Sequence, residues 1–172
     1  MRCFCTKHLI PEIWCGIDDD TGGIRFDFNA SIKIESDTTC IIIDTTPDFR
    51  YQMLRTKTTH IDAVVFTHPH RDHYAGLDDI RPFNFFSGKS MPIYANTITQ
   101  VAIKRDFYYA FEADKEAGLP EMQLLTIEPT ASFKIGDIEL MPIEVMHRDM
   151  PVLAQAYRDA SPLLALIQYP QS

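Results

Sequence analysis

Apolar and polar residues alternate along the first patterned segment of the chain. From residue 26 to residue 35, every second position is apolar and the positions between are polar. Successive side chains of a β-strand point to opposite faces, so this period of two predicts a strand with one buried and one wet face. Ser36 to Thr38 are turn-forming residues, and the apolar run to Ile43 predicts a returning strand. The two strands are therefore expected to form a hairpin.

Short apolar runs predict four further strands. They cover residues 61–66, 91–95, 123–127 and 138–146. Length, flanking turn residues and β-branched content favour strands over helices for such runs. Pro142 interrupts the last run and cannot donate a hydrogen bond to a neighbouring strand. We therefore expect that strand to be a sheet edge or to carry a bulge.

Helices are predicted between these strands. Thr46 and Pro47 have the residue types of an N-cap and a first helical position, and Phe49, Met53 and Leu54 would form the buried face of that helix.

A single helical turn is expected after residue 76, with Leu77 and Ile80 on its buried face and Pro82 at its end. Gly76 would permit a close backbone approach. Asn96 is expected to cap a longer helix.

Length and charge limit the function classes. The chain has 172 residues, enough for one domain with a core, and a net charge of −8 without any run of lysine or arginine. This balance argues against an extended nucleic-acid groove or an anionic membrane surface as partner. No apolar stretch is long enough to cross a bilayer and no leader pattern opens the chain, so a cytoplasmic location is expected. We expect one domain over residues 1–172, with an irregular segment at 1–25 and a divergent tail at 154–172.

The candidate chemistry is concentrated in six residues. His68, His70, Asp72 and His73 follow the apolar run 61–66, and this segment holds three of the six histidines in the chain. Imidazole and carboxylate are ligands of zinc, manganese and iron, and a turn at a strand end lets closely spaced side chains converge. A lone histidine here would more often be a structural residue. Four such groups together predict a metal site, and the absence of a nearby cysteine pair argues against a structural zinc site.

Three further positions could contribute to a metal site. The long strand 138–146 delivers His147 at its end, in the same arrangement as the first motif. Asp44 ends the strand before residue 45, where it could orient a ligating histidine or be a plain strand-end carboxylate. Asp78 could act in the same way or pair with Arg81.

A second metal site is a separate hypothesis at the N-terminus. Cys3, Cys5 and His8 could bind a structural metal, although so short a pattern also fits a frayed terminus.

The motif resembles that of the metallo-β-lactamase superfamily. The resemblance rests on His-x-His-x-Asp-His at 68–73 and on the later strand that ends in His147, and it covers about residues 26–153. The segments 44–50, 76–83 and 92–95 are similar to the PhnP-like phosphodiesterase branch. That branch acts on cyclic phosphodiesters and is related to the tRNA 3′-processing nucleases.

The resemblance implies an α+β fold, a four-layer αββα sandwich that is incomplete in this chain because most of the C-terminal half is missing. It implies two divalent metals, zinc first and manganese or iron as alternatives. His68, His70 and His147 would hold one metal, and Asp72 and His73 the other. Asp72 would also be catalytic, by orienting a metal-bound hydroxide.

The same resemblance implies a structural zinc site at Cys3 and Cys5, with His8 standing where the family has a cysteine. The family pattern continues well beyond the third histidine strand, whereas 25 residues without a histidine follow His147 here. We therefore expect an incomplete centre, and the similarity is expected to stop after Leu153.

Three functions follow as hypotheses. The first is hydrolysis of a small, cyclic phosphodiester. The second keeps the metals and changes the substrate to a carboxylic ester, thioester or lactam. The third is a metal-binding module without activity, completed by another chain. Unpaired sheet edges would favour self-association, and a homodimer is expected on that ground.

Overall fold

The computed structural model describes residues 31–112, 118–147, 150–158 and 164–166 of the 172-residue chain. Within these ranges, two β-sheets pack face to face and helices cover the outer face of the first sheet. The predicted N-terminal segment 1–25 and the hypothetical metal site at Cys3, Cys5 and His8 lie outside the described residues.

The first sheet contains five strands in the order β1-β2-β3-β4-β5. Their bounds are β1 Ile32–Glu35, β2 Cys40–Ile43, β3 Ala63–Val65, β4 Met91–Ala95 and β5 Met122–Thr126. β1 and β2 form the expected antiparallel hairpin, and the pairs β2–β3, β3–β4 and β4–β5 are parallel. Parallel neighbours need a crossover connection, which is why the helices lie between these strands in the sequence.

The helices follow strands of the first sheet. Their bounds are α1 Phe49–Arg55, α2 Arg71–Tyr74, α3 Arg81–Ser87 and α4 Thr97–Asp106, with 3₁₀ turns at Leu77–Ile80 and Tyr108–Phe111. Asn96 caps α4 as predicted, because its Oδ1 accepts a hydrogen bond of 2.9 Å from the amide of Thr99. Among the described residues, no helix is both long and apolar enough to cross a bilayer.

The second sheet is antiparallel throughout and has the order β6-β7-β8-β9. Its strands are β6 Phe133–Ile135, β7 Ile138–His147, β8 Met150–Arg158 and β9 Leu164–Leu166. β7 lies between β6 and β8, so the prediction of an edge strand is wrong for β7 as a whole. However, the pairing with β6 ends at Leu140, and beyond that point β8 is the described neighbour of β7. Pro142 lies in this one-sided part, where a missing donor is tolerated.

Part of the segment 154–172, which is expected to be a divergent tail, continues the second sheet. β8 continues to Arg158, and residues 155–157 pair with β9. Its apolar residues carried no recognisable family motif, but they continue the ladder of a hairpin that β7 and β8 had already begun.

Two apolar clusters show how the layers stack. Ile42 and Val64 point towards the helices, whereas Ile41, Ile43 and Val65 point towards the second sheet. Strands buried on both faces read as continuous apolar runs, which explains the sequence of β2 and β3. The described helices all contribute to the first cluster, so the layers run helix, sheet, sheet. This α+β arrangement confirms the expected fold class, with three of the four expected layers present in the described residues.

Three helix predictions need correction. α1 begins at Phe49 with Asp48 before it and no side-chain cap, so Thr46 is not the N-cap. Instead, the backbone oxygen of Thr46 accepts from the amide of Phe49 at 2.9 Å, in a turn that precedes the helix. Leu54 is 71% exposed, because a short helix on a sheet buries only a narrow stripe. Pro82 lies in the first turn of α3 and starts a helix rather than ending one.

Candidate metal centre

The predicted metal motif lies where the two sheets meet. β3 ends at Val65, and the next two residues are tied to both sheets by backbone hydrogen bonds. The amide of Phe66 donates to the carbonyl of Tyr94 at 2.8 Å, and the amide of Leu153 donates to the carbonyl of Thr67 at 3.0 Å. The second of these bonds brings β8 against the start of the motif.

Asp44 lies beneath the motif and is fully buried. It ends β2, the parallel neighbour of β3, so the carboxyl ends of both strands meet at one edge of the sheet. Its Oδ1 accepts from the amide of Thr67 at 2.9 Å. Its Oδ2 accepts from the hydroxyl of Thr67 at 2.8 Å and lies 2.7 Å from Nδ1 of His73. Asp44 has a φ of 61°, a left-handed conformation that aspartate adopts more easily than most residues.

This network determines which nitrogens of two histidines carry a proton. A carboxylate only accepts, so Asp44 accepts one hydrogen bond from the Thr67 hydroxyl and another from Nδ1–H of His73. The Thr67 oxygen then accepts from Nδ1 of His68, which lies 2.9 Å away. In the neutral form of each ring, Nδ1 thus carries the proton and the lone pair of Nε2 faces the site.

Two pairs of ligand atoms result. Nε2 of His68 lies 3.1 Å from Nδ1 of His70, and Nε2 of His73 lies 3.5 Å from Oδ2 of Asp72. Two nitrogens bound to one tetrahedral zinc at 2.0–2.1 Å are about 3.3 Å apart, so the first pair has a spacing that suits a shared metal. The rings of His68 and His73 are 4.0 Å apart between centroids, which places the pairs side by side. The donor set therefore fits divalent metal.

Burial and charge act against each other at His73. Burial lowers the pKa of this imidazole, but the hydrogen bond and charge of Asp44 raise it, as does the charge of Asp72, and the net pKa is raised. The pair of Asp44 and His73 is almost completely inaccessible, whereas the Asp72 side chain is 56% exposed. Asp72 and His70 are thus the candidate ligands that solvent or a substrate can reach, whereas His68 and His73 are buried.

His147 is placed by its backbone alone. It is the last residue of β7 and pairs with Met150 across the hairpin. Glu144 pairs with Leu153, the residue that is bonded to Thr67, so His147 lies about 10 Å further along the strand from that contact. Within the described side chains, no group of three or more histidine, cysteine or acidic residues is gathered as a complete metal site. The role of His147 as the third ligand of the first pair stays a prediction.

Asp78 has a different partner from the one considered. Both of its carboxylate oxygens lie 2.7 Å from the hydroxyl of Tyr109, which donates to them. Arg81 donates to the backbone oxygen of Asp78, at 3.2 Å, and not to its carboxylate. Among the described contacts, Asp78 therefore anchors the 3₁₀ turn at Tyr108–Phe111 and touches no histidine of the motif.

Gly76 shows the close approach that was predicted. An added Cβ would lie 2.2 Å from the backbone oxygen of Thr46 and 2.8 Å from Cβ of Phe49. The amide of Gly76 donates to the carbonyl of Thr45 at 2.9 Å, and the amide of Thr45 donates to the carbonyl of His73 at 2.8 Å. Glycine thus lets the end of the motif pack directly against the segment that follows Asp44.

Sequence reasoning missed Thr67 and Asp106. Thr67 stands directly before His68, and that place beside the motif was a usable signal. Asp106 accepts hydrogen bonds from Arg71 and Tyr74, the two ends of α2, from the far end of α4. No local pattern pointed to it.

Residues 39–166 match the family model described as the beta-lactamase superfamily domain. The chain belongs to this superfamily. The fold of this superfamily accounts for both sheets and for the position of the motif at their junction.

Solved structures that resemble the chain include, by name, a diphosphatase and a tRNase. A diphosphatase from the PhnP family is 32% identical, with a TM-score of 0.64 over 76% of this chain and 49% of that chain. The short form of human tRNase Z is 14% identical, with a TM-score of 0.60 over 80% of this chain and 61% of that chain. The resemblance to the PhnP branch is thus confirmed.

One relative is named as a transferase, unlike the diphosphatase and the tRNase. The octanoyltransferase of Porphyromonas gingivalis strain W83 is 31% identical in an alignment of 160 residues that covers 89% of this chain and 32% of that protein. The chain thus spans about a third of this relative and about half of the PhnP-family structure.

Proposed function

We propose that this chain carries the metal-binding part of a phosphodiesterase that acts on a small, cyclic phosphodiester. The proposal rests on the contacts of Asp44 and Thr67 with Nδ1 of His73 and His68. These contacts orient both rings so that their Nε2 atoms face one site. Its support is the 32% identity to a diphosphatase of the PhnP family, in a chain without an extended basic surface in its sequence.

The ligands divide between two positions. His68 and His70, with His147, would hold one divalent metal, and Asp72 with His73 would hold the other. Imidazole and carboxylate ligands suit zinc first, and manganese or iron as alternatives. Such metals, when bound, supply an activated water and neutralise phosphoryl charge.

The protein itself contributes orientation and proton placement. Asp44 and Thr67 keep the protons of both histidines at Nδ1, so neither ring can turn its N–H towards the site without breaking a buried hydrogen bond. Asp72 is the exposed acceptor and would accept a hydrogen bond from the attacking water. The buried side of the motif thus fixes the ligands, and its exposed side meets the substrate.

Metal content and hydrolysis test the proposal together. The purified chain should bind two zinc ions and hydrolyse bis(p-nitrophenyl) phosphate. His68→Ala should lose more than the roughly 10–100-fold in rate that loss of a residue behind a metal ligand costs, because it removes a ligand itself. His60→Ala is the matched control, because His60 is exposed and its ion pair within the described residues is with Asp62, at 3.8 Å. Absence of zinc binding, or equal rates in both variants, would contradict the proposal for this chain.

Acyl chemistry is the second candidate. It is favoured by the name of the Porphyromonas gingivalis relative, an octanoyltransferase. This chain matches about a third of the length of that protein. The same metal-loaded chain should be offered an octanoyl thioester and a β-lactam. Turnover of the thioester, lost in His68→Ala and absent with the phosphodiester, would replace the first candidate by the second.

A further inference from the structure

The one-turn helix α2 carries Asp72 and His73 and cannot hold its own conformation. A helix of four residues has far too few hydrogen bonds to form in isolation, so tertiary contacts must fix it. On the buried side, His73 is held by Asp44. The opposite side of α2 is held by a different carboxylate.

We propose that Asp106 is a positioning residue for the metal motif, acting through Tyr74 and Arg71 at the two ends of α2. The inference rests on the proposed function in one respect, since it takes Asp72 and His73 as ligands. Asp106 itself touches neither of them and is not a catalytic residue.

The contacts favour Tyr74 as the main anchor. Its hydroxyl donates to Oδ2 of Asp106 at 2.5 Å, a short hydrogen bond to a charged acceptor. The Tyr74 ring is buried, with edge-on packing against Phe66 and Phe107. A tyrosine fixed at both its ring and its hydroxyl leaves α2 little freedom to rotate about its axis.

Arg71 adds a weaker second contact. Its Nη1 lies 3.1 Å from Oδ2 of Asp106, but its side chain is 72% exposed, and exposed ion pairs contribute little. Arg71 and Tyr74 are three residues apart and so share one face of the turn. Asp106, the last residue of α4, thus contacts both ends of α2.

Arg105 keeps the carboxylate available for this role. Its Nε donates to Oδ1 of Asp106 at 2.6 Å, and this hydrogen bond, followed by that from Tyr74, holds the pKa of Asp106 well below its usual range. The pKa of Tyr74 is raised, by burial first and then by Asp106. These shifts favour an ionised Asp106 that accepts and a protonated Tyr74 that donates.

Amide hydrogen exchange of the metal-free chain tests the anchor directly. The amide of Ala75 donates to the carbonyl of Arg71 at 2.9 Å and reports on the turn of α2. Tyr74→Phe keeps the ring and removes the hydroxyl, and Asp106→Asn removes the charge. Each should speed exchange at Ala75 by about tenfold, the effect expected from one hydrogen bond to a charged group.

The matched control is Tyr109→Phe. Tyr109 also donates to a carboxylate, that of Asp78, but outside α2. Tyr109→Phe should leave amide exchange at Ala75 unchanged. Amide exchange in β3 should stay unchanged in all three variants. Equal exchange at Ala75 in wild type and both α2 variants would overturn the inference. So would an equally large effect of Tyr109→Phe.

Zinc titration then separates positioning from plain stability. Tyr74→Phe and Asp106→Asn should weaken the affinity for the zinc that Asp72 and His73 would hold by about tenfold, as for residues that orient ligands from behind. The affinity for the other zinc should stay unchanged. Faster exchange together with two unchanged zinc affinities would overturn the positioning role. A wild-type chain that binds no zinc would contradict the proposed function, and the exchange result would still decide whether Asp106 fixes α2.

Discussion

Replacing Asp44 by asparagine tests the network beneath the metal motif. Asparagine has nearly the same volume and also tolerates a positive φ, so the backbone at Asp44 should not change. The substitution replaces one acceptor oxygen by an NH₂ group. Because all three described partners of the carboxylate donate to it, that NH₂ group must face a donor.

The cost can be worked from the two orientations of the amide. With its oxygen at the Oδ2 position, the contacts to His73 and to the Thr67 hydroxyl survive and the Thr67 amide loses its acceptor. With its oxygen at the Oδ1 position, His73 loses its partner instead. A buried donor without an acceptor costs about 1–3 kcal/mol, and the bond to His73 also loses its charge. We therefore expect the free energy of unfolding to fall by about 2–3 kcal/mol.

A change in pH dependence is the more specific consequence. The pKa of His73 is raised in the folded protein: burial lowers it, and Asp44 and Asp72 more than compensate. The stabilisation that this provides is complete below the ordinary histidine pKa of about 6.5, and it is lost as the pH rises through the raised folded pKa. The metal-free wild type should therefore lose stability above about pH 6.5, with a limiting slope of about 1.4 kcal/mol per pH unit.

Urea unfolding with a chelator, between about pH 5.5 and 8.5, measures both effects. Asp44→Asn should reduce the slope above pH 6.5 relative to wild type. Asp62→Asn is the control, because the carboxylate of Asp62 also lies near a histidine, His60, but at 3.8 Å and exposed to solvent. An unchanged slope in Asp44→Asn would refute the assignment of the pH dependence to the buried pair.

Four further substitutions and one chemical probe test the fold around and away from the site. Gly76→Ala should lower the free energy of unfolding by about 2–3 kcal/mol in chemical denaturation, because its Cβ would lie 2.2 Å from a backbone oxygen. Gly88 has a φ of 66°, and an added Cβ there would have no heavy atom within 4 Å. Gly88→Ala should therefore lower the free energy of unfolding by only about 1–2 kcal/mol. Asn96→Ala should cost about 1 kcal/mol through loss of the α4 cap, and Asn96→Asp should be nearly neutral. Cys40 is buried with its pKa raised to about 12, mainly by burial, so peptide mapping should find it alkylated at pH 8 only after unfolding.

The predictable part of the fold was the part governed by strand periodicity. β1 and β2 were recognised because alternation and a polar turn are local properties, and β4 matched its apolar run residue for residue. The errors concern places where one residue type serves two purposes. Proline can begin a helix as well as end one. Pro82 was therefore correctly expected at a helix boundary, but it lies at the start of α3 and does not end the preceding turn. Leu54 fitted a helical stripe that was wider than the sheet could cover.

The candidate site divides in the same way. Residues 68–73 were found because a turn gathers neighbours in sequence, whereas Asp44 and Asp106 reach the motif from 29 and 32 residues away. Asp44 and Asp78 looked alike in the sequence as carboxylates near the motif. They differ because β2 is the parallel neighbour of β3, which carries Asp44 under His73, while the 3₁₀ turn directs Asp78 towards Tyr109. Strand order, which no local pattern records, is therefore what separates the carboxylate that orients a histidine from the one that anchors a loop.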